Sequence, residues 1–110
     1  MNREAIVAHF NGDEELVEQL VELFVDECPR MMNDVRHSIE SGNAEALRRA
    51  AHSFKGCVGN FGDTGAVDAA RSLEVLGRER RLGDARKELA WLEREVNDLL
   101  QAMQKSRTRT

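Results

Sequence analysis

The chain has 110 residues, of which 41% are hydrophobic and 33% charged, with one proline and no tyrosine. This length suits a single domain that buries its own core, and a composition dominated by Ala, Leu, Glu and Arg favours helices over strands. The net charge of −4 argues against nucleic acid as the main ligand. No apolar run approaches the ~20 residues that span a bilayer, and the N-terminus lacks a signal-peptide pattern. We therefore expect a cytoplasmic protein that does not enter a membrane.

The first 40 residues predict a short helix followed by a long one. An amphipathic segment from Arg3 to His9 leads into an Asn-Gly-Asp turn, where Asp13 suits the N-cap of the next helix. Apolar residues then recur at steps of three or four, at Leu16, Leu20, Phe24, Cys28, Met31, Val35 and Ile39. Pro29 lies within this stripe without changing its phase, so we expect one long, bent helix.

The rest of the chain predicts three further helices. After a turn at Ser41-Gly42-Asn43, an apolar stripe runs through Leu47, Ala51, Phe54, Val58 and Phe61. An Ala-rich helix from Ala66 to Leu76 precedes a loop from Gly77 to Gly83, and Asp84 suits the N-cap of the last helix. Its stripe is Ala85, Leu89, Leu92, Val96, Leu99 and Met103.

Together these elements predict an all-α fold, an antiparallel four-helix bundle with a short N-terminal capping helix. The domain is expected to cover residues 1–104. Residues 105–110 include no apolar side chain and are expected to form a disordered tail.

One face of the second stripe's helix carries an unusual set of residues. His52, Lys55, Gly56 and Gly59 follow the spacing i, i+3, i+4 and i+7, opposite the apolar face. A glycine inside a helix costs about 1 kcal/mol relative to alanine, and core packing does not explain these two. Small residues beside an exposed imidazole allow another macromolecule to come close. A neutral imidazole offers a lone pair for nucleophilic attack, and Lys55 places a cation beside any anion on the ring.

The run Ala51-His52-Ser53-Phe54-Lys55-Gly56 resembles the His-x-x-Lys-Gly signature of bacterial histidine-containing phosphotransfer (HPt) domains. The similarity includes Gly59-Asn60-Phe61-Gly62 and Leu73-Glu74, and it extends from about Ile6 to Met103. The resemblance implies that His52 is phosphorylated at the ring nitrogen distal to the backbone. It also implies that Lys55 stabilises the phosphoryl group and that Gly56 lets a partner dock.

The resemblance further implies the partners, which are response-regulator receiver domains and a histidine kinase, often a hybrid one. The receiver would bring the aspartate, the Mg²⁺ and most of the catalysis, so the chain itself would be a phosphocarrier without a bound cofactor and not an enzyme. It would be a free-standing protein or a domain of a hybrid kinase, and we expect a monomer. The Cys57-Val58 pair departs from the family, where Ser or Ala is commoner, and Cys57 is expected to pack rather than react.

Secondary sites and alternative functions follow from the same helices. Arg48 and Arg49 precede His52 by one turn, and with Gly59 they are candidates for docking the acidic pocket of a receiver. Val25 and Met32 are candidates for an apolar rim of that surface. We expect no metal site, because no set of ligands has the required spacing. The alternatives are a phosphate-independent helical adaptor and the phosphorylated domain of a chemotaxis-type histidine kinase.

Overall fold

Five α-helices occur in the part of the chain that the computed structural model describes, which is the backbone of residues 3–62 and 64–107 and the side chains of residues 4–62 and 65–103. They are α1 (Arg3–His9), α2 (Glu14–Glu40), α3 (Ala44–Gly59), α4 (Thr64–Arg78) and α5 (Ala85–Arg107), with a 3-10 turn at Leu82–Asp84. Helix α2 packs on α3, α3 on α4, α4 on α5, and α5 on α2. Short connections make consecutive helices antiparallel, and the predicted all-α bundle is confirmed.

The short helix α1 contacts α2 and α5 and buries Ile6 against them. Helix α2 is a single helix of 27 residues that continues across Pro29, as predicted. Its N-cap is Asp13, whose carboxylate accepts a hydrogen bond from the Leu16 amide at 3.0 Å. The turn into α3 has Gly42 in the left-handed region, with φ of 70°, where glycine has no steric penalty. Asn43 then caps α3 through the Ala46 amide.

The predicted buried face of α2 is confirmed from Phe24 onward, except that Met32 is buried in place of Met31, and it is wrong before Phe24. Val17 and Val21 are buried, whereas Leu16 is 39% exposed and Leu20 is half-buried. The predicted positions advance mostly by four residues. An α-helix repeats every ~3.6 residues, so positions spaced by four shift gradually from one face of the helix to the next. The observed buried positions come closer to that repeat: Val17, Val21, Phe24, Cys28, Met32, Val35 and Ile39.

The other helices bury the predicted stripes. All five apolar positions predicted for the second stripe are buried, and the α5 stripe is buried apart from Leu89, which is half-buried. Both cysteines are free thiols, with Cys28 in the core and Cys57 half-buried at its edge. Burial and the neighbouring Cys57 raise the pKa of the Cys28 thiol to about 11. Burial also raises the pKa of the Cys57 thiol, so neither thiol is poised for chemistry at neutral pH.

Helix α4 is longer than predicted, because Gly77 belongs to the helix and not to the following loop. A Cβ atom at Gly77 would lie 2.6 Å from the backbone nitrogen of Arg48 and 2.8 Å from the Ala44 carbonyl oxygen. Only glycine permits α4 to approach the α3 backbone this closely. The absent side chain therefore sets the distance between the two helices that carry the site described below.

The last helix differs from expectation at its C-terminal end. At its start, Asp84 directly precedes α5 as predicted, where it also ends the 3-10 turn, and its carboxylate accepts a hydrogen bond from Arg81 at 3.0 Å. At the other end, the α5 backbone is helical to Arg107, three residues into the predicted tail. Residues 108–110 of that tail lie outside the described residues.

Candidate functional site around His52

Helix α3 presents His52 to solvent because its neighbours Ala51 and Phe54 occupy the core face. The His52 side chain is 63% exposed, and Lys55, one turn further along, is 27% exposed. The sequence prediction that both lie on the outer face of α3 is confirmed. Their spacing of three residues brings an imidazole and an ammonium to the same point on the bundle surface.

A buried carboxylate from α4 joins these two side chains. Glu74 is only 6% exposed, and its two oxygens contact different partners. Oε2 lies 2.9 Å from His52 Nδ1, and Oε1 accepts a hydrogen bond from Lys55 Nζ at 2.6 Å. The Glu74 carboxylate, which lies beneath the surface of the bundle, therefore connects the exposed histidine to the lysine.

The charge state of Glu74 follows from its surroundings. Burial raises the pKa of the Glu74 carboxyl, but hydrogen bonds from Lys55 and His52 and their positive charges lower it more, so its pKa lies below the usual range. Glu74 is therefore an anion at neutral pH, and an ionised carboxylate only accepts hydrogen bonds. The proton in the contact with His52 must then reside on Nδ1. In a neutral ring this leaves the lone pair on Nε2, the nitrogen farther from the backbone.

Two further cations lie near this carboxylate. Arg78, the last residue of α4, donates a hydrogen bond from Nη2 to Glu74 Oε2 at 3.4 Å. Arg48 lies one turn before His52, and the charge of Glu74 raises the pKa of its guanidinium as a minor effect beside the hydrogen bond to Glu45. The surface around His52 is thus electropositive, with Glu74 as its buried counter-charge.

The two glycines of the motif lie on the exposed side of α3. A Cβ atom at Gly56 would have no neighbour within 4 Å, and one at Gly59 would meet Val67 Cγ2 at 3.8 Å, an ordinary contact. Packing within the bundle therefore does not require glycine at either position. The surface beside His52 and Lys55 is flat and open at these two residues.

A profile of the Hpt domain matches residues 19–106, a range that contains every residue of this site. The chain belongs to the Hpt domain family. It is a histidine phosphotransfer domain of a phosphorelay, and Hpt domains in phosphorelays interact with receiver domains and histidine kinases. The family resemblance seen in the sequence is confirmed.

The fold of this Hpt domain matches a known structure. The crystal structure of histidine-containing phosphotransfer protein B (HptB) from Pseudomonas aeruginosa PAO1 has a TM-score of 0.89 and 24% sequence identity, and the match covers 100% of this chain and 96% of that chain. This likeness shows a shared bundle architecture. No curated protein matched the sequence.

Two features of other protein classes are not found in the described part of the Hpt domain. None of its helices there is long and apolar enough to cross a membrane. Among the same residues, His, Cys, Asp and Glu side chains form no cluster of three or more that could hold a metal ion.

The candidate docking residues of the Hpt domain do not form one patch. Arg48 pairs with Glu45 and lies on the α4 side, where Gly77 approaches its backbone. Arg49 is exposed on the other flank of α3, where it lines a groove towards α2 beside Met31. The prediction that Met32 is part of an apolar rim is wrong, because Met32 is buried in the core.

The position of Glu74 beside His52 in this Hpt domain was not predicted from the sequence. In the sequence, Leu73-Glu74 is distinguished only as part of the family resemblance. The carboxylate comes from a different helix, 22 residues further along the chain. One signal was available, since Glu74 lies four residues after Ala70 of the Ala-rich apolar stripe, and a charge that this spacing brings near the core needs a partner.

Proposed function

We propose that His52 accepts and donates the phosphoryl group of this Hpt domain, with Nε2 as the reacting atom. The observation that carries the proposal is the 2.9 Å contact between Nδ1 and Glu74. It supports a ring whose proton is held on the inner nitrogen while the lone pair remains on the outer one. The 63% exposure of the side chain leaves that nitrogen within reach of a large partner.

The transfer step balances without a base on this chain. The Nε2 lone pair attacks the phosphorus of a partner's aspartyl phosphate, an N–P bond forms, and the P–O bond breaks with its electron pair going to the aspartate. The ring keeps its Nδ1 proton throughout, so it becomes a phosphoimidazolium. Its new positive charge faces the ionised Glu74, which stabilises it. Attack by an aspartate in the reverse direction restores the neutral imidazole.

Glu74 and Lys55 have different tasks in this scheme. Glu74 is a positioning residue, because it acts through the Nδ1 proton and lies on the far side of the ring from the reacting nitrogen. Lys55 provides a cation beside the phosphoryl group, while its 2.6 Å contact with Glu74 limits where its ammonium can go. Together they hold the ring in one orientation before a partner arrives.

The surface around His52 supports docking of a receiver domain. Gly56 and Gly59 leave an open face on which a partner backbone can rest. Beyond them, a groove between α2 and α3 is lined by apolar side chains that include Leu20, the exposed Leu23 and Cys57. Apolar area of this kind suits a protein partner, and Arg48 and Arg49 on the flanks of α3 suit its acidic residues.

The domain is proposed to be a phosphocarrier and not an enzyme. The partner receiver or kinase supplies the catalytic groups, including Mg²⁺ bound at the receiver's own aspartate. This division is supported by the site itself, in which one nucleophile is surrounded by cations and one positioning carboxylate. We propose that the domain acts in the cytoplasm as a monomer.

Intact mass spectrometry after incubation with phosphorylated receiver domains and Mg²⁺ tests the proposal. Wild type is expected to gain one phosphoryl group that is labile to acid and stable to base, and His52→Gln to gain none. His37→Gln provides the matched control, because His37 is also an exposed helical histidine but lies on α2.

Phosphorylation of His52→Gln, or loss of phosphorylation in His37→Gln, would overturn the site assignment. If wild type gains no mass with a broad panel of receivers or with phosphoramidate, the phosphocarrier function is wrong. The adaptor function would then be tested by asking whether His52→Gln retains partner binding.

A further inference from the structure

Arg78 is a cation at the site to which the sequence analysis gave no role. It ends α4, one turn after Glu74, and its side chain is 61% exposed. Its Nη2 atom donates to the same Glu74 oxygen, Oε2, that His52 Nδ1 contacts. Because both groups contact one carboxylate oxygen, the exposed guanidinium and the imidazole lie on the same side of Glu74.

Arg78 is held more weakly than the other cations around it. Its one hydrogen bond to Glu74 is 3.4 Å long, at the limit of a useful contact. Lys55 has a 2.6 Å contact and is mostly covered. Arg48 contacts both oxygens of Glu45, and Arg81 contacts both Glu79 and Asp84. Among these side chains, Arg78 gives up the weakest hydrogen bonding when it changes its partner.

Phosphorylation of His52 would create a stronger acceptor than Glu74 within reach of this guanidinium. A phosphoryl group carries about −1.5 to −2 charges at neutral pH and three acceptor oxygens. Glu74 carries one negative charge, which it already shares with Lys55 and His52. Arginine binds such groups with two parallel hydrogen bonds, a geometry that its single contact with Glu74 does not use.

We propose that Arg78 is a phosphoryl-binding residue that moves from Glu74 to the phosphoryl group when His52 is phosphorylated. This inference rests on the proposed function of His52. In the unphosphorylated domain the Arg78 guanidinium contacts Glu74. In the phosphorylated domain it adds a second positive charge beside Lys55. It also frees Glu74 Oε2 for the phosphoimidazolium alone. Arg78 therefore stabilises the phosphorylated form of the domain relative to a phosphorylated receiver.

The equilibrium of phosphoryl transfer with one receiver domain tests this inference. Arg78→Gln removes the charge, and Arg78→Lys keeps it. Arg71→Gln is the matched control, since Arg71 lies on the same helix with 57% exposure but pairs with Asp68. In wild type, the side-chain NMR signal of Arg78 is followed before and after phosphorylation.

Arg78→Gln is expected to shift the equilibrium towards the receiver by about two- to fivefold, the range of a partly exposed charge pair. Arg78→Lys is expected to restore most of this shift, Arg71→Gln to match wild type, and the Arg78 signal to move on phosphorylation. A wild-type equilibrium in Arg78→Gln, or an equal shift in Arg71→Gln, would overturn the role of Arg78. These results differ from failure of the proposed function, in which wild type itself accepts no phosphoryl group.

Discussion

Replacement of Gly77 by alanine tests whether the contact between α3 and α4 positions the site. The new Cβ atom would lie 2.6, 2.8 and 2.9 Å from the Arg48 nitrogen, the Ala44 oxygen and the Arg48 Cα. All three are backbone atoms within α3, so no side-chain rotation relieves the contact. Helix α4 must move away from α3, and with it Glu74, which reaches His52 across this interface.

Two opposing effects decide the size of the change in stability. Overpacking of a close contact costs about 1–3 kcal/mol, whereas alanine in a helix is favoured over glycine by about 1 kcal/mol. The gain is smaller at Gly77, because it is the penultimate residue of α4. We expect Gly77→Ala to lower the free energy of unfolding by roughly 1–2 kcal/mol. For a domain of this size the midpoint of thermal unfolding falls by roughly 5–10 °C.

Gly56→Ala is the matched control for this prediction. It places the same methyl group inside α3 at a position with no neighbour within 4 Å. Only the higher helix propensity of alanine remains, so Gly56→Ala is expected to raise the free energy of unfolding by about 0.5–1 kcal/mol. Urea unfolding followed by circular dichroism measures both variants. If Gly77→Ala is as stable as wild type, or is stabilised as much as Gly56→Ala, the close approach of the two helices does not require glycine.

Three further predictions concern single residues. Glu74→Gln is expected to slow phosphoryl transfer to His52 about tenfold in rapid-quench assays, because a neutral amide binds the Nδ1 proton less strongly than a carboxylate; an unchanged rate would remove Glu74 from the mechanism. Burial holds the pKa of the Cys28 thiol at about 11 in the folded protein, against 9.0 in the unfolded chain. Between pH 9.0 and about 11 the unfolded state therefore binds fewer protons than the folded state, and the free energy of unfolding falls as pH rises. The free energy of unfolding should decline by roughly 2–3 kcal/mol across that interval, and a Cys28→Ala variant with the same decline would contradict this origin. Arg49→Glu should slow transfer from a receiver without changing stability, whereas Arg86→Glu on α5 should leave both unchanged; equal transfer rates for the two variants would exclude Arg49 from the docking surface.

The sequence alone determined the features of this protein that lie within one helix. Helical periodicity is a local property, so the stripe of α3 identified its core face and therefore the outward direction of His52 and Lys55. Cap residues act within three positions of themselves, and for this reason Asp13 was recognised as the start of α2. The order and length of the amphipathic segments were sufficient for the bundle, and the motif with its context was sufficient for the family.

Tertiary packing decided the features that depend on contacts between two helices. Which face of the first half of α2 is buried depends on its neighbours, and there Val17 replaced Leu16 in the core. Gly77 reads as a loop residue in the sequence, since the helix partner that requires the missing side chain lies 29 positions earlier at Arg48. The two arginines before His52 point in different directions because they are successive residues of a helix, but only the packing places Arg48 on the α4 side and Arg49 on the α2 side.

The completed site shows the same division. The proposed nucleophile His52 and the neighbouring Lys55 are three residues apart on one helix, so their association follows from helical geometry. The carboxylate that fixes the Nδ1 proton and the weakly held Arg78 both belong to α4, and their distances to His52 depend on how closely that helix approaches α3. The sequence therefore identified His52 as the candidate residue. Only the folded structure decided which proton and which charges surround its ring, because those groups meet through packing and not through chain proximity.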